Sequence, residues 1–204
     1  MYAGPVTRQE ERSAATRRVL LDATVACLVE HGYHGTTSVS VANRAGLSRG
    51  AQLHHFGTRD DMVVAAVEHL AQKRLESVSA SLDRMATEDV ERPGARERLA
   101  RAALDLLAEA LSGPLYAATL ELWVASRANA ALREKLVPAE LRVDAELRSV
   151  CRTWVTDDPV LVRLTLDLLL GSGVSGMHAD HRSNGRRRQA IEAWSTFLRQ
   201  EAAL

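Results

Sequence analysis

Cysteine is scarce in this chain. Two occur in 204 residues, Cys27 and Cys151, and neither belongs to a C-x-x-C pair. A disulfide scaffold and a cysteine metal clip are therefore poorly supported, and a reducing cytoplasm is the expected home. Net charge is missing too: 26 Lys and Arg balance 26 Asp and Glu, so no global field draws the chain to nucleic acid. There is no long hydrophobic run. The greasiest stretch, residues 160–177, contains Arg163, Asp167 and three glycines, so no membrane span is expected. The opening MYAGPVTRQEERS has no apolar core, so no secretory leader is expected either. No G-x-S-x-G elbow and no phosphate-cradling glycine loop is present, which leaves an enzyme with no residues to name. His54 and His55 are adjacent, so on a helix they point about 100° apart, and no Cys or carboxylate nearby completes a tetrahedral set. Neither a metal nor a cofactor is expected.

What is abundant is Ala, Leu, Arg and Glu, in a chain that is 46% hydrophobic and only 4% aromatic. That composition favours an all-α protein with enough apolar mass for a core. Residues 1–12 form a polar arm. From Ser13 a helix begins, with Leu21, Thr24, Val25 and Leu28 at i, i+3, i+4, i+7, and Gly32 ends it. Thr58 caps a long helix from Arg59 toward Met85, with Asp61 completing a short capping box. Its apolar phase shifts after Leu70, so its two halves pack on different cores. Glu91 to Gly94 is a loop. The helix after Leu115 is apolar nearly all round and so is buried. Pro138 should kink or break the stripe from Leu132 to Trp154. Asp158-Pro159 starts another helix. Small residues from Gly171 to Gly176 let a second helix approach closely. Ile191, Trp194 and Leu198 mark the last helix. With no strand pattern, the whole reads as about nine helices.

The stretch Thr36 to Asp61 stands out from this background. Val39, Val41, Ala42 and Ala45 place apolar groups on one side of a short helix. Gly46 supplies the residue that tolerates positive φ in a sharp turn. Leu47 tucks that turn inward, and Ser48 is an N-cap for a second short helix, Arg49 to about His55. That second helix carries Arg49, Gln52, His54 and His55 and has little to bury, so its open face suits a polar partner. Helix, A-G-apolar-S turn, short polar helix is the arrangement in which the second helix enters the major groove of DNA. Up to Asp61 seven arginines face six acidic residues, so placement and motif carry this reading, not bulk charge.

On these residues the chain resembles the DNA-binding domain of TetR-family transcriptional regulators. The resemblance spans roughly Arg17 to Leu70. It rests on Gly32-Tyr33, Thr36-Thr37, Ala42 to Gly46, His55-Phe56 and Thr58-Arg59, in the family's order. Two positions depart: the family has an apolar residue and then Tyr before the His pair, where this chain has Gln52 and Leu53. The Tyr touches a backbone phosphate, a contact Leu53 lacks, whereas an amide at Gln52 can pair with adenine.

The resemblance implies an N-terminal three-helix helix-turn-helix domain, residues 13–60. The helix 59–85 links it to a C-terminal helical domain, 61–204, for effector binding and dimerisation. Arg49, Ala51 and Gln52 would face bases, and Thr36, Thr37, Ser48, His54, Thr58 and Arg59 would contact phosphates. Met85, Tyr116, Trp123, Arg127, Cys151 and Trp154 are candidates for an effector cavity, although periodicity alone makes them core residues. Leu168, Gly171, Ser175, Trp194 and Leu198 would serve a homodimer interface built from the last two helices. The function implied is a repressor released from a palindromic double-stranded operator by a small molecule. Two alternatives stay open: a helical enzyme or carrier whose helix-turn-helix is only structural, and a DNA-binding regulator without a ligand.

Overall fold

The first helix begins where Thr7 and Glu10 satisfy one another. The Thr7 hydroxyl accepts from the Glu10 N–H, and the Glu10 carboxylate accepts from the Thr7 N–H at 2.7 Å. In this computed structural model, which describes residues 7–89, 92–177 and 181–201, α1 is therefore Arg8–Gly35. The expected polar arm is shorter than residues 1–12, because 8–12 are already helical; residues 1–6 lie outside the described residues.

Helicity in α1 breaks at Gly32, where φ is 67° and ψ is −177°, a conformation open essentially to glycine alone. After one more turn the chain enters α2 (Ser38–Ala45), capped by Thr37 with Ser40 answering. Gly46, in the left-handed region at φ 64°, makes the sharp turn. Ser48 then caps α3 (Arg49–Phe56), its hydroxyl accepting from the Ala51 N–H at 3.2 Å. Thr58 and Asp61 form the expected capping box at the head of α4 (Arg59–Asp89). The remaining helices are α5 (Ala95–Ala110), α6 (Gly113–Ser126), α7 (Ala130–Trp154), α8 (Pro159–Gly176) and α9 (His181–Glu201). Among the described residues there is no strand. Asp158 caps α8 through the N–H groups of Val160 and Leu161 at 2.7 and 2.9 Å, with Pro159 next in line. Pro138 does not break α7. It lies exposed within one continuous helix, having removed a single N–H donor.

The chain divides into two compact units. The first runs to His69 and adds Ala118–Ala139; the second is Leu70–Ala117 and Glu140 onward. The helix-turn-helix unit is thus larger than residues 13–60. One of its cores, Leu20, Leu21, Cys27, Val41, Phe56, Met62 and Ala66, sits under α2 and α3. Its other core joins Leu28, Tyr33, Val63 and Val67 to Leu122, Leu132 and Leu136 from α6 and α7. Residues 118–139 were expected in the C-terminal domain. Periodicity marks a buried face but does not name the partner that buries it. Val39, expected inside, is 56% exposed on α2. The second unit closes over Leu75, Leu82, Leu104, Leu107, Leu147, Cys151, Leu166, Leu169 and Ile191. The phase shift in α4 does separate the two cores: Val63 and Val67 serve the first, Leu75, Val78 and Leu82 the second.

Two contacts fasten α6 and α7 within the first unit. The Glu121 carboxylate accepts the Tyr33 N–H at 2.6 Å, and Lys135 Nζ donates to Asp61 at 2.5 Å. A Cβ on Gly32 would stand 2.7 Å from Glu121 Oε2, in a backbone conformation that L side chains avoid. Gly32→Ala should therefore destabilise the protein by about 1–3 kcal/mol. The loss is measured by urea unfolding; an unchanged midpoint would show that the break is not held by this contact.

Candidate nucleic-acid interface

Eight residues of α3 divide cleanly by spacing. Gln52 and Phe56, one turn apart, face the interior; Arg49, Gly50, Leu53 and His54 face out; Ala51 and His55 are half-buried. Arg17 lies over the Phe56 ring at 5.0 Å, tying α3 back to α1. The turn holds α3 from both ends: the Leu47 N–H donates to the Ala42 carbonyl at 3.0 Å, and the Gly57 N–H to the Leu53 carbonyl at 2.9 Å.

Three residues expected on the DNA face have other roles. Gln52 was expected at a base edge, but it is fully buried. Its Nε2 donates to Ser38 Oγ at 3.2 Å, linking α3 to α2, while Oε1 meets no partner. The family's apolar residue at this position was the signal that 52 points inward; the chemistry of the amide pointed the other way. Thr36 is also fully buried, and its hydroxyl donates to the Gly32 carbonyl at 2.8 Å, so it closes α1 and does not reach a phosphate. Arg59 is half-buried. Its Nε donates to the Thr36 carbonyl at 2.5 Å, Nη2 to the Tyr33 carbonyl and Nη1 to Asp60 at 3.0 Å, and the guanidinium stacks 4.2 Å from the Tyr33 ring. It clamps the joint between α1 and α2, a role invisible without the fold because two of its partners, the carbonyls of Thr36 and Tyr33, are remote in sequence.

Around that clamp the Tyr33 hydroxyl donates to Asp60 at 3.1 Å. Burial pushes the Tyr33 phenol above its ordinary value; Arg59 opposes this and the Asp60 charge adds to it. Burial alone would raise the Asp61 carboxyl, but Lys135 and Thr58 together hold it below its ordinary value.

Of the other expected residues, Ala51 is half-buried and five are exposed. Thr37, Ser48, Arg49, His54 and Thr58 are exposed. Thr37 and Ser48 serve as caps, which aims the first N–H groups of α2 and α3 outward beside them. His54 stands edge-on to His55, with ring centroids 5.3 Å apart. Leu53 and Gly50 were not among the expected DNA-facing residues, yet both are exposed on the same face as Arg49.

The expected effector residues fall in both units. Tyr116 is buried, its hydroxyl donating to the Leu170 carbonyl at 2.9 Å, and its ring fills the space that a Cβ on Gly173 would need. Cys151 is buried in the second unit, and burial pushes its thiol up to about 11. Trp154 packs against the same core. Met85 and Arg127 are exposed, and Trp123 belongs to the first unit. Apolar spacing could not tell a core-filling aromatic from a cavity-lining one. Of the expected dimer residues, Leu168, Gly171 and Ser175 line an open groove of about 750 Å³ between α8 and α9. Trp194 instead donates to Thr165 Oγ1 at 2.9 Å and, with Leu198, packs partly against the core of the second unit.

Comparison with known proteins follows from this geometry. Residues 20–66 match the family model described as bacterial regulatory proteins, tetR family. The chain is 27% identical over 175 residues to an uncharacterized HTH-type transcriptional regulator of Mycobacterium bovis, covering 82% of this chain and 85% of that protein. It is 34% identical over 126 residues to the HTH-type transcriptional regulator CymR of Pseudomonas putida, covering 62% of this chain and 58% of that one. The crystal structure of the multidrug binding protein EbrR complexed with imidazole has the same fold: TM-score 0.65, 22% identity, 96% of this chain and 97% of that one.

The burial of Gln52 has a measurable consequence. Gln52→Leu removes a buried oxygen that has no partner, so stability should rise by about 1 kcal/mol, seen as a higher urea midpoint. DNA affinity should stay the same. A fall in affinity with no change in stability would return Gln52 to the base-reading face.

Proposed function

The chain belongs to the TetR family and is a DNA-binding transcriptional regulator; from that premise we propose that it is a cytoplasmic homodimeric repressor, released from a palindromic operator by a small molecule. The observation that carries the reading is α3: a capped eight-residue helix with Arg49, Gly50, Leu53 and His54 outward and its amide residue turned in. Arg49 reads a base edge, with guanine its natural partner through two parallel hydrogen bonds. Thr37, Ser48, His54 and Thr58 meet phosphates, which set position without reading sequence.

One such helix covers only a few base pairs. A second copy supplies the other half-site and turns modest contacts into usable specificity. The groove between α8 and α9 supports that pairing. An added Cβ at Gly171 or Gly176 would meet nothing within 4 Å of its own chain, so the small residues there leave room for a partner helix.

Release by an effector is linkage: DNA and effector each weaken the other by the same factor. EbrR, with this fold, is a multidrug binding protein. In the second unit Glu140 keeps one buried carboxylate oxygen without a partner, and burial pushes its carboxyl up; such a group is costly unless something meets it. One observation favours a regulator without a ligand: Cys151 and Trp154 pack in the second core, and the Tyr116 hydroxyl is spent on the Leu170 carbonyl. Thermal shift against metabolite fractions decides between the two. An effector at 100-fold its Kd raises stability by roughly 2.7 kcal/mol. No shift with any fraction, alongside intact operator binding, supports the ligand-free reading.

Selection of bound duplexes from random DNA should yield a palindrome. Arg49→Ala should lower affinity for it about 5- to 100-fold and relax preference at one base pair per half-site. Winners without symmetry would overturn the dimer, and an unchanged Arg49→Ala profile would overturn the base contact.

A further inference from the structure

The outer face of α3 carries an inversion. At adjacent positions the polar residue, Gln52, is fully buried and the apolar one, Leu53, is 48% exposed. For the isolated fold the reverse order is better. Leucine at 52 would fill the interior without an unmatched oxygen, and a glutamine at 53 would be solvated. Leu53 packs against neither core of its unit, and it has no donor or acceptor with which to hold a phosphate or a charged partner.

Gly50, one turn before it on the same face, is equally unexplained from within. It is exposed and helical, and its φ is not positive. A Cβ there would find only Ser48 Oγ, at an ordinary 3.6 Å. Glycine within a helix costs roughly 0.5–1 kcal/mol relative to alanine, and neither conformation nor packing recovers it here. An exposed apolar side chain beside a side chain that has been omitted describes a surface shaped to something outside the chain.

The major groove offers one apolar group on its base edges, the C5 methyl of thymine. We propose that Leu53 is a specificity-determining residue that makes apolar contact with a thymine methyl in each half-site, in the room that Gly50 leaves for the base pair. Arg49 and Leu53, four residues apart on one face, then read two different features: a hydrogen-bonding edge and a methyl group. The contact rests on the reading that α3 enters the major groove.

The test uses the full chain and the operator obtained by selection from random duplexes. Each thymine of the half-site is replaced in turn by deoxyuridine, which removes only the methyl and keeps the base pair. At one position per half-site, affinity should fall roughly 3- to 5-fold for each methyl lost. Leu53→Ala should bind the thymine operator more weakly and no longer distinguish it from the uracil duplex. Because Leu53 is exposed, this variant should keep the wild-type melting temperature. Tight binding of the wild type with no sensitivity to uracil at any position overturns the proposal and leaves the groove reading intact. So does a Leu53→Ala variant with an unaltered thymine-to-uracil ratio. Failure of the wild type to bind any duplex overturns the groove reading, and the thymine contact with it.

Discussion

A helix that stops at Gly32 leaves the Tyr33 N–H without its carbonyl four residues back. That donor goes to Glu121 at 2.6 Å. The backbone beyond the stop is secured in a complementary way. Glu121 takes a donor, and Arg59 gives to two acceptors, the carbonyls of Tyr33 and Thr36. Both are charge-assisted hydrogen bonds, worth about 1.5–3 kcal/mol each when one member is ionised. Between them they hold four residues in a shape that neither helix propensity nor hydrophobic burial would select.

The turns into α2 and α3 are tied to that joint by further side-chain hydrogen bonds. Thr36 closes α1, Thr37 opens α2, and Ser38 receives the Gln52 amide from α3. Three consecutive small hydroxyl residues thus make contacts that involve α1, α2 and α3. A polar link of this kind is directional and ties α3 to α2.

How much of this was legible beforehand divides along physical lines. Caps and turns were legible, because Gly46, Ser48, Thr58-Asp61 and Asp158-Pro159 act on their immediate neighbours and need no tertiary knowledge. The two-core division of α4 was legible as a phase shift. What was not legible depends on contacts between remote segments. Glu121 meeting Tyr33, and Lys135 meeting Asp61, assign residues 118–139 to the first unit, and no local signal carries that. Arg59 looked like a phosphate ligand because an exposed arginine at a helix start usually is solvated; its carbonyl partners exist only once α1 has turned. Gln52 was misplaced for the opposite reason. Its position was legible from the family's apolar residue, and its chemistry was given more weight than its phase.

Coupling between operator and effector has a natural scale, about 1–3 kcal/mol for a 5- to 150-fold change in affinity. Moving a rigid recognition helix by repacking a hydrophobic core would cost more, since Leu20, Leu21, Val41 and Met62 are each essentially inaccessible and close-packed. Releasing one charge-assisted hydrogen bond falls within that scale. α6 contributes its first residues to the second unit and Glu121 to the first. Lys135 on α7 stands in the same relation to the cap of α4, with Asp61 as its partner.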